Sequence, residues 1–186
     1  MSDDKIIDRK KFIKKGFFQF FNVFQDFFGE IKAISYSPIR PPGAIEEKLF
    51  LDTCVKCGKC IDACEQNSIK FSGMEASFIM GYPVISPKER PCFACDDLSC
   101  MKACPSGALV FTEKKDLKIG LAIVDKERCI TYSGEECDIC VKSCPFPDIA
   151  IKIDDNKNPS VLEPCIGCGL CEYWCEYSAI KINSFR

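Results

Sequence analysis

Sixteen cysteines fall into four groups of four, with none left over in a chain of 186 residues. The first group is Cys54-x2-Cys57-x2-Cys60-x3-Cys64, and the fourth, Cys165-x2-Cys168-x2-Cys171-x3-Cys175, repeats its spacing. The second is Cys92-x2-Cys95-x4-Cys100-x3-Cys104 and the third Cys129-x7-Cys137-x2-Cys140-x3-Cys144; a proline, Pro105 or Pro145, follows each. Thiolates are soft ligands suited to iron–sulfur chemistry. Three of them on one short loop wrap a cubane, and a fourth after a break ligates the other cluster in two-cluster ferredoxins. The outer groups carry that run with Glu65 and Glu176 in place of its terminal proline. Gly58, Gly167 and Gly169 sit inside the loops, where a close backbone approach needs no Cβ.

Two other chemistries use cysteine at this density. Disulfide scaffolds of secreted proteins do not require regular spacing. Structural zinc takes C-x2-C pairs, but pairs do not account for four complete quartets, two of them ending in Cys-Pro. The pattern therefore predicts four [4Fe–4S] clusters, with all sixteen cysteines as ligands and assembly under reducing, cytoplasmic conditions. A quartet short of one thiolate would mark a catalytic cluster with an open iron, and none is short. The chain also has no histidine, the usual general base. Electron transfer, and not catalysis by this chain alone, is the expected chemistry.

Short elements must hold these loops. After each group comes a β-prone segment: 68–71, 108–111, 149–153 and 179–182; residues 119–125 read as a return strand before group three. Each unit is then cluster loop, short helix, strand and return strand. A unit this small cannot bury its own face, so units stack in pairs. Sequential and nested pairing both fit the lengths. The matched spacing of the outer groups, and the prolines of both inner ones, favour nesting. The expected fold is α+β: two pseudo-symmetric bacterial-ferredoxin-like 2[4Fe–4S] modules, one nested in the other, preceded by an amphipathic helix. The nested ligand sets are Cys54, Cys57 and Cys60 with Cys175; Cys165, Cys168 and Cys171 with Cys64; Cys92, Cys95 and Cys100 with Cys144; and Cys129, Cys137 and Cys140 with Cys104. The domain boundaries on this reading are 1–36, basic N-terminus and helix; 37–48, Pro-rich connector; and 49–186, the cluster domain, with 49–90 and 146–186 as outer module and 91–145 as inner. Phe93, Ile130, Ile139 and Ile166 are candidate shields against water, and Asp96, Asp97 and Asp138 lie in the loops as solvated acids.

The segments "RPPGA" (40–44), "PCFACDDLSCMKACPSGAL" (91–109), "IGLAIVDKERCITYSGEECDICVKSCP" (119–145) and "PCIGCGLCEYWC" (164–175) together resemble the NapG/MauM family of ferredoxin-type proteins, from about residue 39 onward. The seven-residue gap of group three, with its internal Tyr-Ser-Gly, is the most specific part of the match. The resemblance implies a four-cluster carrier linking a quinol- or membrane-bound donor to a catalytic partner, with nested pairing. It also implies export by the twin-arginine route, from which this sequence departs: residues 9–14 read "RKKFIK", with Lys10 where the second arginine belongs.

Residues 12–34 hold eight of the 15 phenylalanines. Phe17, Phe20, Phe21, Phe24, Phe27, Phe28, Ile31 and Ile34 recur at one helix face, with Gln19, Asn22, Gln25, Asp26 and Glu30 between them. An export signal has a plain apolar run instead. The helix packs on the body, fills a partner's groove, or rests on a membrane surface through Phe17, Phe20, Phe21, Phe24 and Phe28 beside Lys10, Lys11, Lys14 and Lys15. The chain has no run of about 18 apolar residues, and its net charge of −2 gives no support to nucleic-acid binding. The location expected is cytoplasmic and membrane-associated, with a periplasmic one through the degenerate twin-arginine signal as the alternative. Function reads as electron relay to a partner oxidoreductase, against the alternative of structural clusters serving the maturation of a partner enzyme.

Overall fold

Four-residue helices and three-residue strands dominate the described residues, because each cysteine loop leaves room for little else. The structure, a computed structural model, describes residues 38–73 and 79–185; the phenylalanine helix falls outside them. Helix α1 (Glu47–Thr53) opens the fold, capped by the Glu46 carboxylate, which accepts from the amides of Lys48 and Leu49. Helix α2 (Lys59–Asp62) then carries Cys60, α3 (Ser99–Lys102) Cys100, α4 (Ile139–Lys142) Cys140 and α5 (Leu170–Tyr173) Cys171. Among the described residues no helix is long and apolar enough to cross a membrane.

Among the described residues three two-stranded antiparallel sheets frame the helices. Strand β1 (Ile69–Phe71) pairs with β2 (Pro83–Ile85), and β4 (Ile151–Ile153) with β5 (Pro159–Val161). Strand β3 (Gly120–Val124), which precedes group three, pairs with β6 (Ile180–Ser184), which follows group four, in the register Ala122↔Ile182. The segment before group one repeats this closure in miniature: Ala44 bridges to Leu109, the Ile45 amide donates to the Ala108 carbonyl, and the Val110 amide donates to the Gly43 carbonyl. Residues 108–111 thus form a single bridge and not the expected strand. The chain is two copies of one plan in sequence order, and each closes on its own first and last segments.

Residues 38–45 do more than connect. Ile39, Arg40, Pro41 and Ala44 are buried, and Ile39 bridges to Ile85. Arg40 is 1 % exposed. Its Nε and Nη2 donate to the two carboxylate oxygens of Glu47 at 3.0 and 2.6 Å, and Nη1 donates to the Pro83 carbonyl at 3.1 Å. The guanidinium lies 4.8 Å from the ring centroid of Phe50 and 5.6 Å from that of Tyr82. One buried cation therefore ties the strap, α1 and β2 together. Arg40→Met should cost about 3 kcal/mol, because it strands the Glu47 carboxylate, and the double variant Arg40→Met/Glu47→Leu should recover much of the loss. Thermal unfolding of the iron-loaded protein measures both; a single-variant loss below about 1 kcal/mol would count against this role.

Candidate metal centre

The helices fix which cysteines meet. Helix α2 packs on α3, and α4 on α5. Cys54, Cys57, Cys60 and Cys104 line one cavity. Cys64, Cys92, Cys95 and Cys100 line a second. Cys144, Cys165, Cys168 and Cys171 line a third. Cys129 and Cys137 act electrostatically on Cys140 in the last set. Each of the first three cavities takes three thiols from one loop and the last thiol of its sequential neighbour. The nested pairing is therefore corrected: Cys104, not Cys175, joins Cys54, Cys57 and Cys60; Cys64 joins the second group's loop, and Cys144 the fourth's. Shared spacing describes how a loop wraps its own cavity. The partner is chosen by which short helices pack side by side, and those are consecutive.

Two backbone devices aim amides at the sulfurs. Between the first two cysteines of groups one, two and four stands a residue in the left-handed region: Lys56 (φ 53°), Ala94 (φ 47°) and Gly167 (φ 69°). Three residues past the last cysteine stands another: Asn67 (φ 52°), Gly107 (φ 77°) and Ser178 (φ 50°). Such turns make concave nests of N–H groups that favour negative charge. The amides of Ser68, Leu109 and Ala179 donate to the sulfurs of Cys64, Cys104 and Cys175 at 3.3–3.4 Å. In group three the Phe146 amide donates to Cys144 at 3.4 Å. Of the six left-handed positions, the sequence reveals only the two glycines; a left-handed lysine or alanine has no signal of its own.

Burial acts against free thiolates. It pushes the Cys60 and Cys92 thiols up to about 12, and those of Cys100, Cys140 and Cys168 up to about 11. Cys171, also buried, is raised too. Cys104 is the exception: burial raises it, but the Leu109 amide, the Ser106 hydroxyl and the Ser106 and Gly107 amides outweigh that and hold it below the ordinary thiol value. Buried thiols that ionise reluctantly on their own suit a multinuclear cation that supplies the missing charge. Among the described residues no three His, Cys, Asp or Glu side chains converge closely enough for a single ion. Thiols spread around a shared cavity are what a cubane needs, since each of its irons takes one thiolate.

The modules meet at two cysteines. The Cys92 amide donates to the Cys168 carbonyl at 2.9 Å. Gly169, at φ 90°, lies where an added Cβ would come within 2.5 Å of Pro87 Cβ, so only glycine fits. Of the expected shields, Ile166 is buried and Ile130 half-buried, whereas Ile139 and Phe93, which lines the second cavity, are exposed. The loop aspartates are solvated, as expected: Asp96 pairs with Lys114 at 2.8 Å, Asp138 pairs with Lys142 at 2.9 Å, and Asp97 accepts from the Ser99 hydroxyl, which holds its carboxyl below the usual range.

Interlocked four-cysteine loops on short helices, repeated in tandem, define a ferredoxin-type iron–sulfur protein. Residues 53–108 match the family described as 4Fe-4S dicluster domain, which spans groups one and two together. Residues 126–147 and 165–179 each match a 4Fe-4S binding domain. The chain is 38 % identical over 160 residues to the ferredoxin-type protein NapG of Escherichia coli, covering 77 % of this chain and 69 % of the relative. It is 37 % identical over 157 residues to the methylamine utilization ferredoxin-type protein MauM of Paracoccus denitrificans, covering 77 % and 70 %. The chain belongs to the NapG/MauM family of ferredoxin-type 4Fe-4S proteins.

Proposed function

We propose that this chain is a four-cluster electron relay, with [4Fe–4S] groups held in the order Cys54/Cys57/Cys60/Cys104, Cys64/Cys92/Cys95/Cys100, Cys144/Cys165/Cys168/Cys171 and Cys129/Cys137/Cys140/Cys175. The observation that carries this reading is the convergence of thiols from paired loops on common cavities, with amides aimed at sulfur. Such groups, when bound, supply reversible one-electron transfer. The polypeptide supplies the rest. It excludes water with Phe50, Ala94, Leu98 and Ile166, and its N–H···S bonds and burial set each potential. On this reading the hydrogen bond between Cys92 and Cys168 links the second site to the third, and Cys57, the one exposed cysteine among the described residues, belongs to the first. The relatives are named ferredoxin-type proteins, which supports a carrier working between a donor and a partner oxidoreductase.

Iron and sulfide analysis should give about 16 of each per chain, and a potentiometric titration followed by electron paramagnetic resonance should show reversible one-electron steps. Clusters that cannot be reduced and reoxidised would turn the reading to a structural role in maturation of a partner. Stoichiometric zinc in a colourless preparation would end it.

A further inference from the structure

The four short helices end alike except at one side chain. Ala63, Ala103, Ser143 and Trp174 occupy the same C-cap position just before the last cysteine of each group, with φ between −76° and −85° and ψ between −5° and −11°. Three repeats show that this position asks for a small residue. The fourth holds the only tryptophan of the chain, and it is 53 % exposed. Neither backbone geometry nor core packing calls for it. Tyr173 meets it edge-on at 5.2 Å between ring centroids, and Tyr177 and Ile139 are exposed on the same pair of loops, which α4 and α5 bring together. Residues 129–140 and 172–177 contain five acids (Glu135, Glu136, Asp138, Glu172 and Glu176) and no Lys or Arg. Lys157 and Lys142 offset two of them; Glu135 and Glu176 are exposed and have no ion pair among the described residues. At the other end the Cys57 loop carries Lys56 and Lys59 and no acid.

We infer that Trp174, Tyr173, Tyr177 and Ile139 form the docking seat of a redox protein whose contact face is an apolar pocket rimmed by Lys and Arg. The inference rests on the relay reading above, since it places the seat at the outer end of the proposed order. Charge selects this occupant. Exposed Trp and Tyr are the residues that anchor protein interfaces, and an acidic rim attracts a basic partner and repels an anionic lipid surface. The seat also gives the relay a direction in space: a basic partner is turned away from the lysine-bearing Cys57 end.

The probe is a small basic c-type cytochrome, compared with an acidic cytochrome of similar size, titrated calorimetrically into the full-length, iron-loaded chain. The basic protein should bind one-to-one, more weakly as salt rises, and the acidic one should not bind. Trp174→Ala should weaken binding about tenfold or more, Trp174→Phe should recover most of it, and Glu135→Lys should weaken it severalfold without touching an aromatic. Iron content and electron paramagnetic resonance of each variant must equal the parent's. Reversible reduction of the parent tests the relay reading by itself; loss of iron in Trp174→Ala would make the tryptophan a support of the cysteine loop and overturn the seat, and unchanged values with lost binding support the seat. Equal binding by parent and Trp174→Ala, equal binding of acidic and basic probes, no binding of the basic probe, or self-association that depends on Trp174 would each overturn it.

Discussion

Produced separately, residues 38–112 and 113–186 should each take up about eight iron atoms and eight sulfides, half the content of the whole. Each half contains both loops of one interlocked pair, and each closes on itself, through the Ala44–Leu109 bridge in one and the β3–β6 sheet in the other. The junction between them, residues 112–116, is largely exposed. A nested chain would behave in the opposite way, since cutting there separates every loop of three cysteines from its fourth ligand, and neither half would hold a stable pair. Iron analysis on both fragments decides between the two. Cys144→Ser in the second fragment sharpens the test, because it should leave about four irons there. The halves should also be less stable than the whole, since the cut exposes the Cys92–Cys168 contact and the seat of Pro87 against Gly169.

Stripping the iron should unfold the described region altogether. Helices of four residues do not persist alone, and two-stranded sheets of three or five pairs are marginal. The core that remains is built partly from the ligands themselves, with Cys60, Cys92, Cys140, Cys168 and Cys171 among its buried members. Binding of iron is then most of the folding free energy. The pH dependence follows from the thiols. In the iron-free fold the buried thiols of Cys60, Cys92 and Cys168 lie above the ordinary 9.0, at about 11 to 12. That fold holds protons more tightly than the unfolded chain, so any residual stability is intact below about pH 9 and lost as pH rises toward 12. Loading runs the other way: each buried neutral thiol must release its proton to iron, so falling pH promotes cluster loss. Circular dichroism of chelator-treated protein should show loss of the native signal with no cooperative thermal transition. An iron-free chain melting within a few degrees of the loaded one would show that packing alone suffices.

The sequence disclosed chemistry better than architecture. Ligand groups are legible because thiolate spacing is dictated by the cubane. Strands β1, β4 and β6 are legible because they alternate apolar and polar residues, and β3 because it is a short apolar run ending in β-branched Ile123 and Val124. Strands β2 and β5 carry no such pattern: each has three residues and begins with proline, Pro83 or Pro159. The pairing of groups was hidden because spacing reports a loop's inner geometry and says nothing of its neighbour. Arg40 was hidden for a related reason. An arginine before two prolines reads as a solvated link, and only the tertiary fold brings Glu47, Phe50 and Tyr82 around it.

The Cys92–Cys168 hydrogen bond has a consequence for how the two halves communicate. On the proposed ligand assignment, an electron crossing from one half to the other has a route made of bonds: out through Cys92, across one amide-to-carbonyl link of 2.9 Å, and in through Cys168. The Lys114–Asp96 ion pair and the seat of Pro87 against Gly169 also join the halves, and neither involves a proposed ligand. Conductance across the middle is then tied to the mechanical fit of a single peptide contact. On that assignment a substitution that adds no bulk, such as Pro87→Ala, which removes most of the ring seated against Gly169, would loosen the joint and slow the crossing without altering any potential. It would produce a protein that looks complete in every equilibrium assay and fails only in time.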